Sequence, residues 1–257
     1  MTLPFGLESS RLLKLIRLLA LLAVGYVQVR WQWERLNALE REQAVQHWAR
    51  RALRVFGVDL EVQGPLTSVG PLLMVSNHLS WLDILVYLGL SPVRFVSKSE
   101  VSVWPLVGRY AQACRTLFIE RRSRRDVSRM VNLLAQSLIA GDLVMIFPEG
   151  TTSLGDAVLP FHANLLQAAL QSGAPVQALA LSYRLKRARA LTTTPCFVGD
   201  QTLVASIWAI LGLEPMVAQI SCAALVPAES LGRERRALAS ALHEEVARLH
   251  SALITRA

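Results

Sequence analysis

The sequence LLMVSNHLSWLD at residues 72–83 joins a short apolar run to a polar turn. Its first five residues, Leu72–Ser76, are apolar or small, and a run of this kind predicts a buried β-strand. The residues from Asn77 to Asp83 then predict a turn that opens a helix. A buried strand followed by a helix is typical of α/β domains, in which ligand sites form at the carboxyl ends of the strands.

The alternation of strands and helices continues along the rest of the chain. Five further runs predict strands at 94–97, 117–120, 143–147, 176–183 and 220–226. Helical periodicity predicts helices at 127–139 and 165–171, and a charged helix after Gly232 that packs by an apolar stripe. The stripe consists of Leu238, Leu242, Val246, Leu249 and Leu253. The predicted fold is therefore a single α/β domain over residues 57–257, with a largely parallel mixed sheet flanked by helices.

Residues 1–56 are predicted to form a helical region at a membrane. An unbroken apolar run covers residues 18–27, about half of the roughly 20 residues that a spanning helix needs. We expect a helix that lies in the interface or enters one leaflet, with Lys14 and Arg17 reaching lipid phosphates. A short membrane span is the alternative. Residues 31–55 continue the helical pattern, either at the interface or as an amphipathic helix packed on the domain.

The overall composition limits the kinds of partner. The 257 residues are 53% hydrophobic, with a formal net charge of +8 and a pI of about 10.1. Nucleic-acid binders are rarely this apolar, so we expect no nucleic acid and favour an anionic membrane surface with an anionic substrate. Cys114, Cys196 and Cys222 form no CxxC pair. They predict buried thiols in a reducing compartment, without a disulfide or a metal site.

His78 and Asp83 are the strongest candidates for catalysis. They lie five positions apart, which on a regular helix is about 140° of rotation and would separate them. At a strand-to-helix turn they can meet, so that the imidazole takes a proton from a hydroxyl while the carboxylate orients the ring. If the substrate supplies that hydroxyl, the enzyme needs no nucleophile of its own. The alternative is a histidine that caps the helix beside a solvated aspartate.

Two further stretches carry candidate binding residues. The sequence FPEGTTS at 147–153 follows a predicted strand, and a Gly turn with N–H groups and hydroxyls suits an anion. Glu149 is expected to accept a hydrogen bond from a substrate hydroxyl or to brace this loop. The sequence TLFIERR at 116–122 ends in arginines, and Arg121, next to the strand end, is the candidate for a bidentate phosphate contact.

These stretches together resemble the bacterial glycerolipid acyltransferases, specifically the 1-acylglycerol-3-phosphate (lysophosphatidic acid) acyltransferases. Four ordered blocks carry the resemblance: NHLSWLD (77–83), TLFIERR (116–122), FPEGTTS (147–153) and APVQALAL (174–181). The chain departs from the family pattern at Arg115, where the second block often opens with glycine. It departs again at Ala178, where the fourth block usually has a second proline.

The resemblance implies a role for each matching residue. His78 is the expected general base and Asp83 its orienting partner. Arg121 and the loop residues Glu149, Gly150 and Thr151 are expected to hold the acceptor. The expected reaction transfers a fatty acyl chain from acyl-CoA or acyl carrier protein to lysophosphatidic acid, giving phosphatidic acid without a metal or cofactor. The expected location is the inner membrane, with the active site on the cytoplasmic side.

Other functions fit the sequence less well. A lyso-ornithine lipid or another lysophospholipid is an alternative acceptor for the same chemistry. A lipid hydrolase of the α/β type requires a Gly-x-Ser-x-Gly nucleophile turn, which this sequence lacks. A non-enzymatic membrane-binding protein would account for the charge and the N-terminal tryptophans, but it would leave the ordered blocks unexplained.

Overall fold

The computed structural model describes residues 5–119 and 124–255, and its strands form a single mixed sheet. The strands are β1 (Val58–Gln63), β2 (Leu72–Ser76), β3 (Arg94–Lys98), β4 (Leu117–Ile119), β5 (Leu143–Ile146), β6 (Pro175–Leu185), β7 (Met216–Cys222) and β8 (Val226–Pro227). Their order is β1-β7-β6-β2-β5-β3-β4, and β8 pairs with β6. Strand β6 runs antiparallel to β7 and β8, whereas the other neighbours are parallel. The predicted largely parallel mixed sheet is confirmed.

Helices cover both faces of this sheet. They are α1 (Phe5–Trp31), α2 (Ala38–Phe56), α3 (Leu82–Leu90), α4 (Val107–Ala113), α5 (Arg124–Ile139), α6 (Gln167–Ser172), α7 (Leu203–Leu211), α8 (Ala228–Leu231) and α9 (Arg235–Thr255). One apolar core contains residues of α1, α2, α3 and α7, and the other contains residues of α5, α6 and α9. The whole predicted stripe of α9 is buried in the second core. In β6, Leu181 and Tyr183 face the first core, and Ala178 and Ala180 face the second.

Three details of the secondary structure differ from the predictions. Strand β1 was not predicted, although its alternating sequence VDLEVQ is the pattern of a half-buried edge strand. The strand predicted at 220–226 is two strands, β7 and β8. The helix predicted through 31–55 is interrupted, because Asn37 and Glu40 form a reciprocal capping box that starts α2 anew.

Helix α1 lies against the domain along one face. Leu18 is buried in the first core, and Leu21 is also buried. The indole Nε1 of Trp48 donates to the carbonyl of Leu21 at 3.4 Å. A β-carbon on Gly25 would lie only 2.6 Å from that indole nitrogen, so the two helices approach closely here. Lys14, expected at lipid phosphates, instead donates to the Leu213 carbonyl at 3.3 Å.

The opposite face of α1 is apolar and exposed. Its exposed residues include Leu12, Leu13, Ile16, Leu19, Val24 and Val27. The segment Ser10–Trp31 is long and apolar enough to cross a membrane by length and composition, and 17% of its most apolar window is buried. The apolar helix is therefore longer than the run at 18–27, because residues on both sides of that run extend it. An exposed apolar face of this size favours membrane association.

Candidate active site

A histidine and an aspartate meet at the carboxyl end of β2. His78 lies in the turn after β2, and Asp83 lies in the first turn of α3. The Nδ1 atom of His78 is 2.8 Å from Oδ2 of Asp83. The Asp83 side chain is fully buried, whereas the His78 side chain keeps 19% of its surface exposed. The buried Asp83 therefore holds the inner edge of the imidazole ring, and the outer edge is open to a substrate.

The turn between these two residues is held by the aspartate itself. Oδ2 of Asp83 also accepts the backbone N–H groups of Leu79 at 2.7 Å and of Ser80 at 2.9 Å. The Ser80 hydroxyl in turn accepts the N–H of Leu82 at 3.2 Å. These bonds satisfy donors at the start of α3 that would otherwise lack partners. They also fold the chain back, so that two side chains which a regular helix would separate lie together.

Tyr183 completes the surroundings of the buried carboxylate. Its hydroxyl donates to Oδ1 of Asp83 at 2.7 Å, from the neighbouring strand β6. Burial raises the pKa of Tyr183 well above its ordinary value, and the charge of Asp83 raises it further. The phenol therefore keeps its proton at neutral pH and can serve as a donor. Sequence reasoning missed this residue, although a tyrosine within an apolar strand signals a buried hydrogen bond.

Asn77 fixes the position of the turn that contains His78 relative to the sheet. Its side-chain amide donates to the carbonyl of Leu181 at 3.0 Å, and its side-chain oxygen accepts the N–H of Leu181 at 2.8 Å. The backbone pairing of β2 with β6 ends at Ser76 and Leu179. The Asn77 side chain continues the contact between the two strands one residue further along the chain. Asn77 is buried, so the residue before His78 cannot shift without breaking both bonds.

Glu149 supports the same turn through a hydrogen bond to its backbone. Its Oε1 accepts the backbone N–H of His78 at 2.9 Å, and its side chain is buried. Burial raises the pKa of Glu149 to about 7, and the hydrogen bonds from the backbone N–H groups of His78 and Leu159 offset only part of this effect. Of the two expectations for Glu149, the contacts support the brace.

The loop that contains Glu149 surrounds His78 on two sides. The Phe147 ring stacks on the imidazole with centroids 4.0 Å apart and planes 8° apart. The N–H of Ser153 donates to the His78 carbonyl at 2.9 Å. Gly150 adopts a φ of 70°, a conformation that favours glycine, and turns the chain between these contacts. Thr151 beside it is exposed.

The remaining sequence candidates contribute less to the described site. Arg121 lies outside the described residues, so its phosphate contact stays a prediction. Cys196 and Cys222 are buried free thiols, and burial raises the pKa of each to about 12. Within residues 5–119 and 124–255, no three His, Cys, Asp or Glu side chains cluster in a way that could hold a metal ion.

Known proteins with similar sequences transfer acyl groups to lipids. The model of the Acyltransferase family matches residues 58–182. The chain is 36% identical to the lyso-ornithine lipid O-acyltransferase of Pseudomonas aeruginosa over 86% of this chain and 87% of that protein. It is 32% identical to the 1-acyl-sn-glycerol-3-phosphate acyltransferase of Neisseria meningitidis over 80% of each. The chain belongs to the acyltransferase family.

A solved structure supports the fold of this acyltransferase. The 1-acyl-sn-glycerophosphate acyltransferase PlsC from Thermotoga maritima superposes with a TM-score of 0.69, covering 96% of this chain and 99% of that one. The identity is 20%, so this match bears on the fold alone. The similar sequences show that the chain is an acyltransferase, and the two relatives named above act on a lyso-ornithine lipid and on 1-acyl-sn-glycerol-3-phosphate.

We expect Tyr183→Phe to lower kcat of this acyltransferase about 10-fold, with the acceptor KM little changed. The variant removes one hydrogen bond to a charged group, worth about 1.5–3 kcal/mol, and frees Asp83 to rotate away from His78. The matched control is Tyr87→Phe, because the Tyr87 hydroxyl is equally buried but pairs with Ser76 at 2.6 Å. Steady-state kinetics on both variants give the test. Equal losses of kcat in both would mean that Tyr183 has only a structural role.

We expect Glu149→Gln to change the pH dependence of stability. The pKa of Glu149 is about 7 in the folded state against an ordinary 4.5, so the folded state keeps this proton longer than the unfolded state does. The free energy of unfolding of the wild type therefore falls as pH rises between these values. The glutamine variant lacks this contribution. Denaturant unfolding across this pH range measures the contribution, with Glu234→Gln as an exposed control. Parallel curves for all three proteins would contradict the assignment.

Proposed function

We propose that this acyltransferase moves a fatty acyl chain from a thioester to the free hydroxyl of a lysolipid, with His78 as general base. The observation that carries the proposal is the 2.8 Å contact between His78 Nδ1 and the buried Asp83. Because Asp83 occupies Nδ1, the other ring nitrogen is available to the acceptor hydroxyl. A base of this kind contributes about 10²–10⁴-fold to a rate.

The proposed reaction needs no acyl-enzyme intermediate. His78 removes the proton from the acceptor hydroxyl as its oxygen attacks the thioester carbonyl carbon. Asp83 stabilises the imidazolium that forms. The tetrahedral intermediate then collapses, the carbon–sulfur bond breaks, and the thiolate takes the proton from His78. An ester and a free thiol leave the site, and the imidazole is neutral again.

We propose a lyso-ornithine lipid as the first acceptor to test. The relatives that bear this name are 36–38% identical to the chain, whereas those named for 1-acyl-sn-glycerol-3-phosphate are 31–32% identical. Lysophosphatidic acid is the second candidate. The specific feature that favours it is Arg121, whose guanidinium suits a bidentate phosphate contact.

The donor and the setting are part of the same proposal. Acyl-CoA and acyl carrier protein both present the acyl chain as a thioester, and either would serve the chemistry above. The exposed apolar face of α1 suits delivery of the acceptor from a bilayer. The inner membrane, with the active site on the cytoplasmic side, is where both proposed donors are made available.

An acyl-transfer assay on the purified protein in detergent tests the proposal. Labelled acyl-CoA and acyl carrier protein are offered against lyso-ornithine lipid, lysophosphatidic acid and other lysophospholipids, with His78→Ala as control. Diacyl product from one acceptor, absent with the variant, would establish the acceptor and the base together. Absence of transfer to every acceptor from both donors would refute the proposal.

A further inference from the structure

The imidazole of His78 lies almost flat on the ring of Phe147. The two ring centroids are 4.0 Å apart, and the planes differ by 8°. Neutral aromatic pairs prefer offset or edge-on arrangements with centroids about 4.5–7 Å apart, because the electron-rich faces of two rings repel each other. An uncharged imidazole has an electron-rich face of the same kind. The pair is therefore closer and flatter than two neutral rings prefer.

Contacts on both sides of the pair hold the two rings together. Phe147 directly follows β5. Its ring packs against the buried Phe95 of β3, with centroids 6.0 Å apart and planes 16° apart. The backbone of His78 donates to Glu149 at 2.9 Å and accepts from the N–H of Ser153 at 2.9 Å. The surrounding fold therefore sets the stacked geometry, and attraction between two neutral rings is not required for it.

A second contact between a phenylalanine and a histidine shows the arrangement that neutral rings favour. Phe161 meets His243 edge-on, with centroids 5.2 Å apart and planes 86° apart. The Nε2 atom of His243 lies 3.2 Å from the carbonyl of Val158, and the proposed mechanism gives this histidine no role. The two pairs therefore differ in the way expected if His78 becomes charged during the reaction and His243 does not.

The stacked arrangement suits a ring that becomes positively charged. A cation over the face of an aromatic ring, within about 6 Å of its centroid, is attracted by the negative charge of that face. Asp83 compensates the imidazolium charge at the ring edge, 2.8 Å from Nδ1, and Phe147 lies against the ring face. The contact with Phe147 therefore becomes more favourable as His78 takes up the proton. An interaction that is stronger in the transition state than before it raises kcat.

We propose that Phe147 is a positioning residue that stabilises the imidazolium form of His78 through the face of its ring. It acts through His78 and not on the substrate. This inference rests on the proposed function, because it requires His78 to accept the proton of the acceptor hydroxyl. Asp83 and Phe147 would then share the stabilisation of one charge, the first in the plane of the imidazolium and the second across its face.

A graded series of fluorinated phenylalanines at position 147 tests the proposal. Each fluorine withdraws electrons from the ring face and weakens its attraction for a cation, whereas the shape of the ring is nearly kept. Mono-, di- and trifluorophenylalanine replace Phe147 in the full chain through a suppressor tRNA. The matched control is the same series at Phe161. A para-methylphenylalanine at position 147 controls for size, because it adds bulk without withdrawing electrons.

The kcat of the Phe147 series should fall with each added fluorine, by about 10-fold in total, because contacts of this kind are worth about 2- to 30-fold. The acceptor KM should stay near the wild-type value, since the acceptor binds before the proton moves. The Phe161 series and the para-methyl variant should keep near-normal kcat. Phe147→Leu, which removes the ring face, should be at least as slow as the trifluorinated variant. Steady-state kinetics in detergent measure all of these constants.

A constant kcat across the Phe147 series, or an equal fall in the Phe161 series, would overturn the role of Phe147 and leave His78 as the base. A loss in the para-methyl variant as large as that with three fluorines would show that only the shape of the ring matters. The His78→Ala variant separates this inference from the proposed function, because near-normal activity of that variant would refute the base itself. In the His78→Ala background the trifluorinated ring should cause no further fall in kcat, and a further fall would mean that Phe147 does not act through His78.

Discussion

His78→Ala is expected to lower kcat by at least about 10²–10⁴-fold, the range for loss of a general base. In the proposed mechanism the imidazole accepts the proton of the acceptor hydroxyl. No other described side chain both contacts Asp83 and has an exposed edge. Binding of the acceptor does not depend on proton transfer, so its KM should change far less. Steady-state kinetics at saturating donor measure both constants. A kcat within a few-fold of wild type would refute the mechanism.

The control for this variant is His162→Ala. His162 lies in the same region of the chain, and its backbone N–H donates to the carbonyl of Pro148 at 2.9 Å. Its side chain is exposed, and the reaction scheme gives it no role. It should therefore keep near-normal kcat. Vesicle binding and thermal unfolding should match wild type in both variants, which would separate a lost base from a lost fold.

The contact between His78 and Asp83 could be predicted because its signal is local. His78 and Asp83 follow a recognisable strand and lie within one turn of each other, so an apolar run and a polar turn were sufficient to bring them together. The supporting contacts are distant in sequence. Tyr183 is 100 positions from Asp83, and Glu149 is 71 positions from His78. Periodicity describes neighbours on one element and carries no information about such pairs.

The N-terminal region shows a second limit of sequence patterns. The helical period was clear, but the break before α2 depends on hydrogen bonds between Asn37 and Glu40. The hydrogen bond from Lys14 to the Leu213 carbonyl depends on how α1 packs against the domain. Amphipathicity predicts that a helix packs, but it does not predict its partner.

Asp83→Asn is expected to lower kcat by an amount comparable to His78→Ala, about 10²–10⁴-fold. The carboxylate accepts four hydrogen bonds, from His78, Leu79, Ser80 and Tyr183. An asparagine amide has one oxygen and one NH₂ group, so it cannot accept from both sides. If its oxygen keeps the bonds to the turn, the negative charge that stabilises the imidazolium is lost. If its NH₂ group faces His78, the ring must hold the tautomer that cannot accept the substrate proton.

A double variant distinguishes these catalytic effects from a general loss of structure. If Asp83 acts only through His78, the combined His78→Ala and Asp83→Asn variant should be no slower than His78→Ala alone, because residues that act as a unit are not additive. Asp200→Asn, at an exposed loop position, controls for the loss of one carboxylate. A kcat of the double variant far below that of His78→Ala would mean that Asp83 mainly supports the fold. A large loss of unfolding free energy in Asp83→Asn, with none in Asp200→Asn, would mean the same. In that case the buried carboxylate would serve the start of α3, and the orientation of His78 would depend on Glu149 and Asn77 instead.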